Sequence, residues 1–142
     1  MRKPILAAAA LLVAGCATTA EMVPVTESIS SRRAELTERN DSDLRGAAAA
    51  NTGWGQTGAS ITIAGADSGG QHPWHVHTGS CDSGGGIVGP ATAYPVLSVG
   101  ANGQASASAT VALELTPGAS YHVNVHRSPT DLGTIIACGD LR

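Results

Sequence analysis

Residues 101–115 read Ala-Asn-Gly-Gln-Ala-Ser-Ala-Ser-Ala-Thr-Val-Ala-Leu-Glu-Leu, and this stretch indicates the fold class. Asn-Gly is a strong signal for a tight turn, and the residues after it alternate between apolar and polar side chains. Side chains two positions apart in a strand point to the same face. The pattern therefore predicts a half-buried strand over residues 105–115 of an all-β domain. Its apolar face is formed by Ala107, Ala109, Val111, Leu113 and Leu115.

Short segments of similar character recur on both sides of this stretch, separated by Gly, Asn and Pro. The predicted strands cover residues 34–37, 44–50, 59–64, 74–77, 93–99, 105–115, 121–126 and 135–138. The alanine-rich segment 44–50 would suit a helix equally well by propensity. Seven or eight strands at this spacing predict an antiparallel β-sandwich or flattened barrel.

The composition fits one globular domain. The chain has 142 residues, of which 42% are hydrophobic and 13% charged, and this is enough for a single core. Its 18 glycines and its lack of Phe suit a β domain with many tight turns better than a helical bundle. The formal net charge is −3 and there is no basic stripe with interleaved aromatic residues, so we expect no nucleic-acid partner.

The first 16 residues have the features of a bacterial export signal. Arg2 and Lys3 precede an apolar run over residues 5–14, which is shorter than the roughly 20 residues needed to span a bilayer. The ending Leu-Val-Ala-Gly-Cys resembles a lipobox, in which Cys16 is lipidated and becomes the first mature residue. An ordinary signal peptide with an incidental cysteine and a buried helix are the alternatives.

We therefore expect three segments in the chain. Residues 1–15 form a lipoprotein signal peptide, residues 16–30 a membrane tether, and residues 31–142 the β domain. The protein would be lipid-anchored outside the cytoplasm, at the outer membrane and in the periplasm if the bacterium has two membranes. With Cys16 lipidated, Cys81 and Cys138 remain as an even pair in an oxidising compartment, which predicts a disulfide. Two free buried thiols are the alternative.

All five histidines lie in two short segments of the sequence. His75 and His77 share one face of a strand with Cα atoms about 6.6 Å apart, which is near enough to bind one ion. His122 and His126 also share a face, but at about 13 Å they are too far apart to bind the same ion. His126 is the better third ligand, because it ends its strand. Three imidazoles without a thiolate favour copper or zinc, and a surface or hydrogen-bonded pair of histidines is the alternative.

The histidine segments resemble the Cu/Zn superoxide dismutase family. Residues 71–77 (Gln-His-Pro-Trp-His-Val-His) are similar to the family's His-Gly-Phe-His-Val-His segment. Three further segments match the family's Val-Val-His, Asp-Leu-Gly and Leu-Ala-Cys-Gly, and these are residues 121–126, 131–133 and 136–139. The similarity runs loosely from about residue 32 to residue 142. It implies a Greek-key β-sandwich in which Cys138 is the disulfide partner of Cys81.

The resemblance also implies roles for the histidines. Carried over by position, His75, His77 and His126 become copper ligands, and His72 becomes a structural histidine. In the family, a long loop after the cysteine that corresponds to Cys81 carries a bridging histidine and the zinc ligands. No histidine lies between His77 and His122 here, so we expect copper as the cofactor and no zinc as a second metal. Water, His72 and His122 are candidates for a fourth ligand, and we favour water.

A second departure concerns the arginine that guides superoxide in the family. The corresponding position, three residues before the closing cysteine, is Ile135. Arg127 is the alternative source of positive charge, although its spacing does not direct it into the site. Without this arginine and the bridging histidine, enzymatic activity is left open and no catalytic residue is assigned.

Three functions are compatible with these features. The first is an exported copper-binding protein for sequestration, delivery or defence against copper and oxidative stress. The second is a zinc-free dismutase that uses copper alone, and the third is a structural surface module. Expected partners are the membrane, through the lipid anchor, and either superoxide or a copper-exchange protein. The sequence does not specify the oligomeric state.

Overall fold

The computed structural model describes residues 28–142. The predicted signal peptide, Cys16 and the predicted tether up to residue 27 lie outside the described residues. Residues 28–142 contain strands and one short 3-10 turn, and no α-helix. Within this range no helical segment has the length and apolar character that a membrane crossing requires.

Nine strands make up the described domain. Their bounds are β1 Ser30–Glu38, β2 Arg45–Gly53, β3 Gln56–Ala64, β4 Gln71–His72, β5 Trp74–Thr78, β6 Leu97–Ser98, β7 Gln104–Val111, β8 Tyr121–Ser128 and β9 Asp131–Leu141. Seven of them form one antiparallel sheet in the order β5-β8-β9-β1-β2-β3-β7, which curls into a half-barrel. β4 and β6 pair separately. The prediction of an all-β domain of antiparallel strands is confirmed, with seven strands in the main sheet and two more in a separate pair.

The alanine-rich segment is a strand rather than a helix. β2 pairs along its whole length with β3 and over seven positions with β1. Ala48 and Ala50 face the core, whereas Ala49 between them is partly exposed and Arg33, which pairs with Ala49 on β1, is exposed. The two flanking strands hold β2 extended, so tertiary pairing overrides the helical propensity of alanine.

The strand predicted over residues 105–115 is shorter than expected. β7 ends at Val111, which pairs with Thr57 at the start of β3. The turn that precedes β3 leaves no partner strand for the residues after Val111. The alternation nevertheless predicts part of the burial, because Leu115 is buried, whereas Leu113 is partly exposed.

The prediction of a strand over residues 93–99 is wrong. A 3-10 turn at Ala91–Ala93 and the two-residue strand β6 take its place. The Asn102-Gly103 turn does form, with the Gly100 N–H donating to the Gln104 carbonyl at 2.9 Å. It does not join two strands of a hairpin, because β6 pairs with β4 and β7 pairs with β3.

The core lies on the concave side of the curled sheet, and Trp74 is its largest fully buried side chain. The Trp74 indole N–H donates to the Pro95 carbonyl at 2.8 Å, and the ring meets Tyr94 edge-on at 5.2 Å. Val76 is also buried on this side. Because side chains alternate along a strand, the burial of Trp74 and Val76 places His75 and His77 on the opposite face of β5.

A loop covers that opposite face. Cys81 and Cys138 form a disulfide with Cα atoms 5.9 Å apart, as predicted, and it ties the loop after β5 to β9. The same loop returns along the edge of β5, where the Val88 N–H donates to the Val76 carbonyl at 2.8 Å. The loop therefore protects a free sheet edge and covers the side chains on the outer face of β5 and β8.

Candidate metal centre

Three buried histidines from two neighbouring strands converge at one point. His75 and His77 come from β5 and His126 from β8, and one ring nitrogen of each lies within 4.8 Å of the others. A β-bulge between Val125 and His126 bends β8 where the third histidine is placed. Among residues 28–142, these three histidines are the side chains that place three possible metal-ligating atoms close together.

Backbone carbonyls orient two of these rings. His77 Nδ1 lies 3.0 Å from the Gly85 carbonyl, and His126 Nδ1 lies 2.8 Å from the Leu132 carbonyl. A carbonyl oxygen can only accept, so each Nδ1 carries the hydrogen and each Nε2 keeps its lone pair. This is the arrangement by which proteins orient metal-binding histidines.

The ring nitrogens that could bind a metal face one another. His126 Nε2 lies 3.0 Å from His75 Nδ1, and His77 Nε2 is buried without a hydrogen-bond partner among the described residues. A buried polar atom without a partner is costly, and a shared metal ion would satisfy it. The donor set therefore fits a metal ion held by His75 Nδ1, His77 Nε2 and His126 Nε2.

The surroundings keep the three histidines neutral. Burial, followed by repulsion from His126 and His77, lowers the pKa of His75 to about 4. Burial also lowers the pKa of His77 and of His126, against the opposing effect of their hydrogen bonds to backbone carbonyls. At neutral pH the ring nitrogens therefore have lone pairs available for a metal ion.

His72 lies beside the cluster without joining it. Its Nδ1 donates to the carbonyls of Arg127 at 2.9 Å and His126 at 3.2 Å. It thus fixes the backbone at the third histidine, which agrees with a structural role. The structure does not bring it together with the three converging nitrogens, so it is not placed as a fourth ligand.

His122 is fully buried and stands directly opposite His77 in the sheet. The two rings stack at 5.2 Å with an angle of 22° between their planes. His122 is not part of the three-membered group, and its Nδ1 has no hydrogen-bond partner among the described residues. The spacing along β8 correctly predicted that His122 and His126 do not share one ion site. The stacking of His122 on His77 depends on the register between β5 and β8, which cannot be read from the sequence.

Tyr94 is a neighbour of the cluster that sequence reasoning missed. Its ring meets His75 edge-on at 5.4 Å, and its hydroxyl donates to the Val88 carbonyl at 2.7 Å. Burial raises the pKa of this hydroxyl to about 12, so it remains a hydrogen-bond donor. A lone tyrosine in an irregular loop carries no sequence pattern that would have pointed to the site.

Arg127, the residue after His126, lies in an ion pair with Asp131. Arg127 lies 3.8 Å from Asp131 and lines a cavity of about 360 Å³ together with His72 and Asp41. Ile135 is the ladder partner of His126, so an apolar side chain stands where the resemblance would require the guiding arginine. Arg127 therefore lies in a surface ion pair, and position 135 beside His126 is apolar.

Comparison with known proteins adds no assignment. No model of a known protein family matches the chain, and no curated protein sequence matches it either. The geometry of the site provides three neutral imidazoles that converge from two strands in a buried pocket, which is suited to a transition metal.

Proposed function

We propose that the protein is an exported, lipid-anchored copper-binding protein with a domain of the Cu/Zn superoxide dismutase type. His75, His77 and His126 hold the copper ion for sequestration, delivery or defence against copper and oxidative stress. The observation that carries this proposal is the convergence of three buried, neutral imidazole nitrogens within 4.8 Å of one another.

The ligand set supports copper over other metals. Imidazole binds copper, zinc, nickel and iron, and among divalent ions of this series copper forms the most stable complexes at a given site. An exported protein meets metal ions outside the cytoplasm, where the predicted lipoprotein signal would place this chain. The resemblance to the dismutase family points to the same metal, and nothing in the described residues provides a second set of histidines for zinc.

The sheet order supports the dismutase-type domain. β1, β2 and β3 follow one another as hairpins, and β9 returns after a long connection to pair with β1, which gives the order β9-β1-β2-β3. Such a return connection is the feature that defines a Greek key. The disulfide and the position of His72 agree with the roles that the resemblance implies for them.

Binding is favoured over turnover by the enclosure of the site. All three histidines are buried, and Ile135 lies beside His126 where the family would have an arginine. Copper, when bound, supplies one-electron chemistry. His75, His77 and His126 would hold and enclose the ion, and Arg127, the residue after His126, is paired with Asp131 rather than held at the cluster by any described hydrogen bond.

The test is a metal count on the full-length chain purified from bacterial membranes, with superoxide dismutation measured on the same sample. The proposal expects one copper per chain, negligible turnover, and loss of the copper in His126→Ala. Substantial turnover that disappears in His126→Ala would favour the zinc-free dismutase instead. A chain that stays free of metal after exposure to excess copper would contradict both functions, and the structural surface module would then be the remaining candidate.

A further inference from the structure

The hairpin between β2 and β3 carries a tryptophan where the backbone disfavours one. Gly53 pairs with Gln56, so the turn has two residues, Trp54 and Gly55, with φ values of 53° and 74°. Such turns prefer Asn-Gly, because both central residues need a positive φ. Among the described residues four non-glycine residues have positive φ, and the other three are Asn40, Asp41 and Asp43. Asn and Asp tolerate this conformation, whereas a bulky residue there is strained.

Trp54 is also the most exposed large hydrophobic side chain in residues 28–142. Its exposed fraction is 62%, and no described hydrogen bond or aromatic contact uses its ring. Both the backbone strain at Trp54 and the exposure of its ring to water are therefore unfavourable. A strained and exposed residue of this kind is a reason to look for a function at that position.

Two further exposed apolar side chains lie at the same end of the sheet. Ile29 is 55% exposed, and its Cα lies 3.5 Å from the point where a side chain on Gly53 would begin. Leu113 is 37% exposed, and its carbonyl accepts the hydroxyl of Thr57, just beyond the hairpin. We refer to Trp54, Ile29 and Leu113 as the tip cluster.

The chain leaves the domain towards its predicted anchor at this end. Ser30, the first residue of β1, pairs with Thr52, two residues before Trp54. Cys16 lies twelve residues before Ser28, the first described residue. Twelve residues span at most about 40 Å, so a lipid on Cys16 keeps this end of the domain close to a bilayer.

We infer that the tip cluster is a membrane-contact surface, with Trp54 seated among the lipid headgroups. The inference rests on the proposed lipid anchor and is independent of the metal. Tryptophan prefers the membrane–water interface, where its ring is apolar and its N–H can reach water. Three apolar side chains bind a bilayer weakly by themselves, but the anchor raises their effective concentration at the membrane.

The orientation that follows places the metal centre away from the membrane. Tyr121, at the start of β8, pairs with Leu141 near the tip end, and His126 lies five residues further along the same strand. Five residues of strand correspond to about 16 Å. The tip cluster therefore faces the lipid while the end of the sheet that carries His126 faces the surrounding compartment.

The test uses the full-length lipidated chain, free of metal, in phosphatidylglycerol and phosphatidylethanolamine vesicles with brominated acyl chains. Bromine quenches only tryptophan near the bilayer, and the second tryptophan, Trp74, is fully buried in the core. We expect the wild-type emission to fall by about a quarter, roughly half of the share that comes from Trp54. Trp54→Asn should show no quenching, and Val96→Asn, which removes another exposed apolar side chain near β6, should be quenched like the wild type.

Thermal unfolding of the same variants in detergent separates a membrane role from a structural one. Trp54→Asn creates the preferred Asn-Gly turn, so its melting temperature should rise by a few degrees. A fall in melting temperature would show that Trp54 stabilises the fold and would overturn the inference. Quenching that persists in Trp54→Asn would overturn it as well, because the signal would then come from Trp74.

Flotation of the vesicles distinguishes the failure of the anchor from the failure of the tip. A chain that floats with the vesicles without quenching retains its anchor and refutes the membrane contact. A chain that does not float refutes both. A dimer that dissociates in Trp54→Asn, without any lipid quenching, would assign the tip cluster to a second copy of the chain and overturn the inference.

Discussion

β3 and β5 lie in two parts of one sheet that differ in how many of their faces are buried. In β3 buried and exposed residues alternate from Thr57 to Ile63, because one face meets the core and the other meets water. In β5 the four residues Trp74 to His77 are all buried, because the core covers one face and the disulfide-tied loop covers the other. We call β2, β3 and β7 the regular half of the sheet, and β5 with β8 the metal half.

The difference shows where polar groups are placed in this protein. The buried face of the regular half is apolar apart from Thr52 and Thr57, whose hydroxyls bond to each other at 2.8 Å. The second buried face of the metal half is lined by histidines, and His77 Nε2 and His122 Nδ1 have no hydrogen-bond partner among the described residues. The metal half contributes Trp74 and Val76 to the core on one face, and on its other face it carries the candidate metal site at some cost in stability.

The largest expected effect is on stability, from a change in the regular half. Ile63 is fully buried in β3, and Ile63→Ala should reduce the free energy of unfolding by about 4 kcal/mol through lost burial and a cavity. Chemical denaturation of the metal-free chain measures this loss. Copper affinity at low temperature, where the variant is folded, should match the wild type, and a parallel loss of affinity would show that the two halves are not separable.

Acid should destabilise the metal half. The pKa of His75 is about 4 in the folded chain and 6.5 when unperturbed, so the unfolded chain binds the proton first as the pH falls. Full stability is present above pH 6.5 and is lost towards pH 4, by about 3 kcal/mol from this residue alone. Denaturation of the metal-free chain across this range measures the slope. His75→Phe should flatten it, and an unchanged slope would contradict the role given to His75.

Copper affinity should depend on the three converging histidines and much less on His122. His77→Ala removes one ligand and should weaken binding on the order of 100-fold, equivalent to about 2.7 kcal/mol. His122→Phe keeps an aromatic ring stacked on His77 but removes its nitrogens, so its affinity should stay within about threefold of the wild type. Competition titration against a chelator of known affinity compares the two. Equal losses would make His122 a ligand.

A smaller loss of copper affinity than in His77→Ala is expected at His72. Its Nδ1 holds the backbone carbonyls of His126 and Arg127, so His72→Phe should leave the ligands in place and loosen the position of His126. Copper affinity should fall about tenfold, in the lower range for residues that orient a metal ligand. The same titration measures it, and a loss as large as that of His77→Ala would place His72 among the ligands.

The same contrast explains what the sequence could predict. Period-two alternation identified the half-buried strands β3 and β7, and the His-x-His spacing identified the pair on β5. The strand over residues 93–99 was wrongly predicted, because its apolar residues pack from an irregular loop that has no period. The stacking of His122 on His77, and the contact of Tyr94 with His75, depend on register and loop closure. Both are properties of the tertiary structure and cannot be predicted from the local sequence.

Gly85 shows a consequence of the covering loop for the mutational tolerance of the surface. Its carbonyl holds His77, and a side chain at this position would collide with the backbone carbonyl of Thr78. Gly85 is exposed to solvent, and exposed positions normally accept many substitutions. Here the close backbone approach gives a surface residue the constraint of a core residue. A library of folded variants of this protein should therefore contain few substitutions of Gly85, although the residue is exposed.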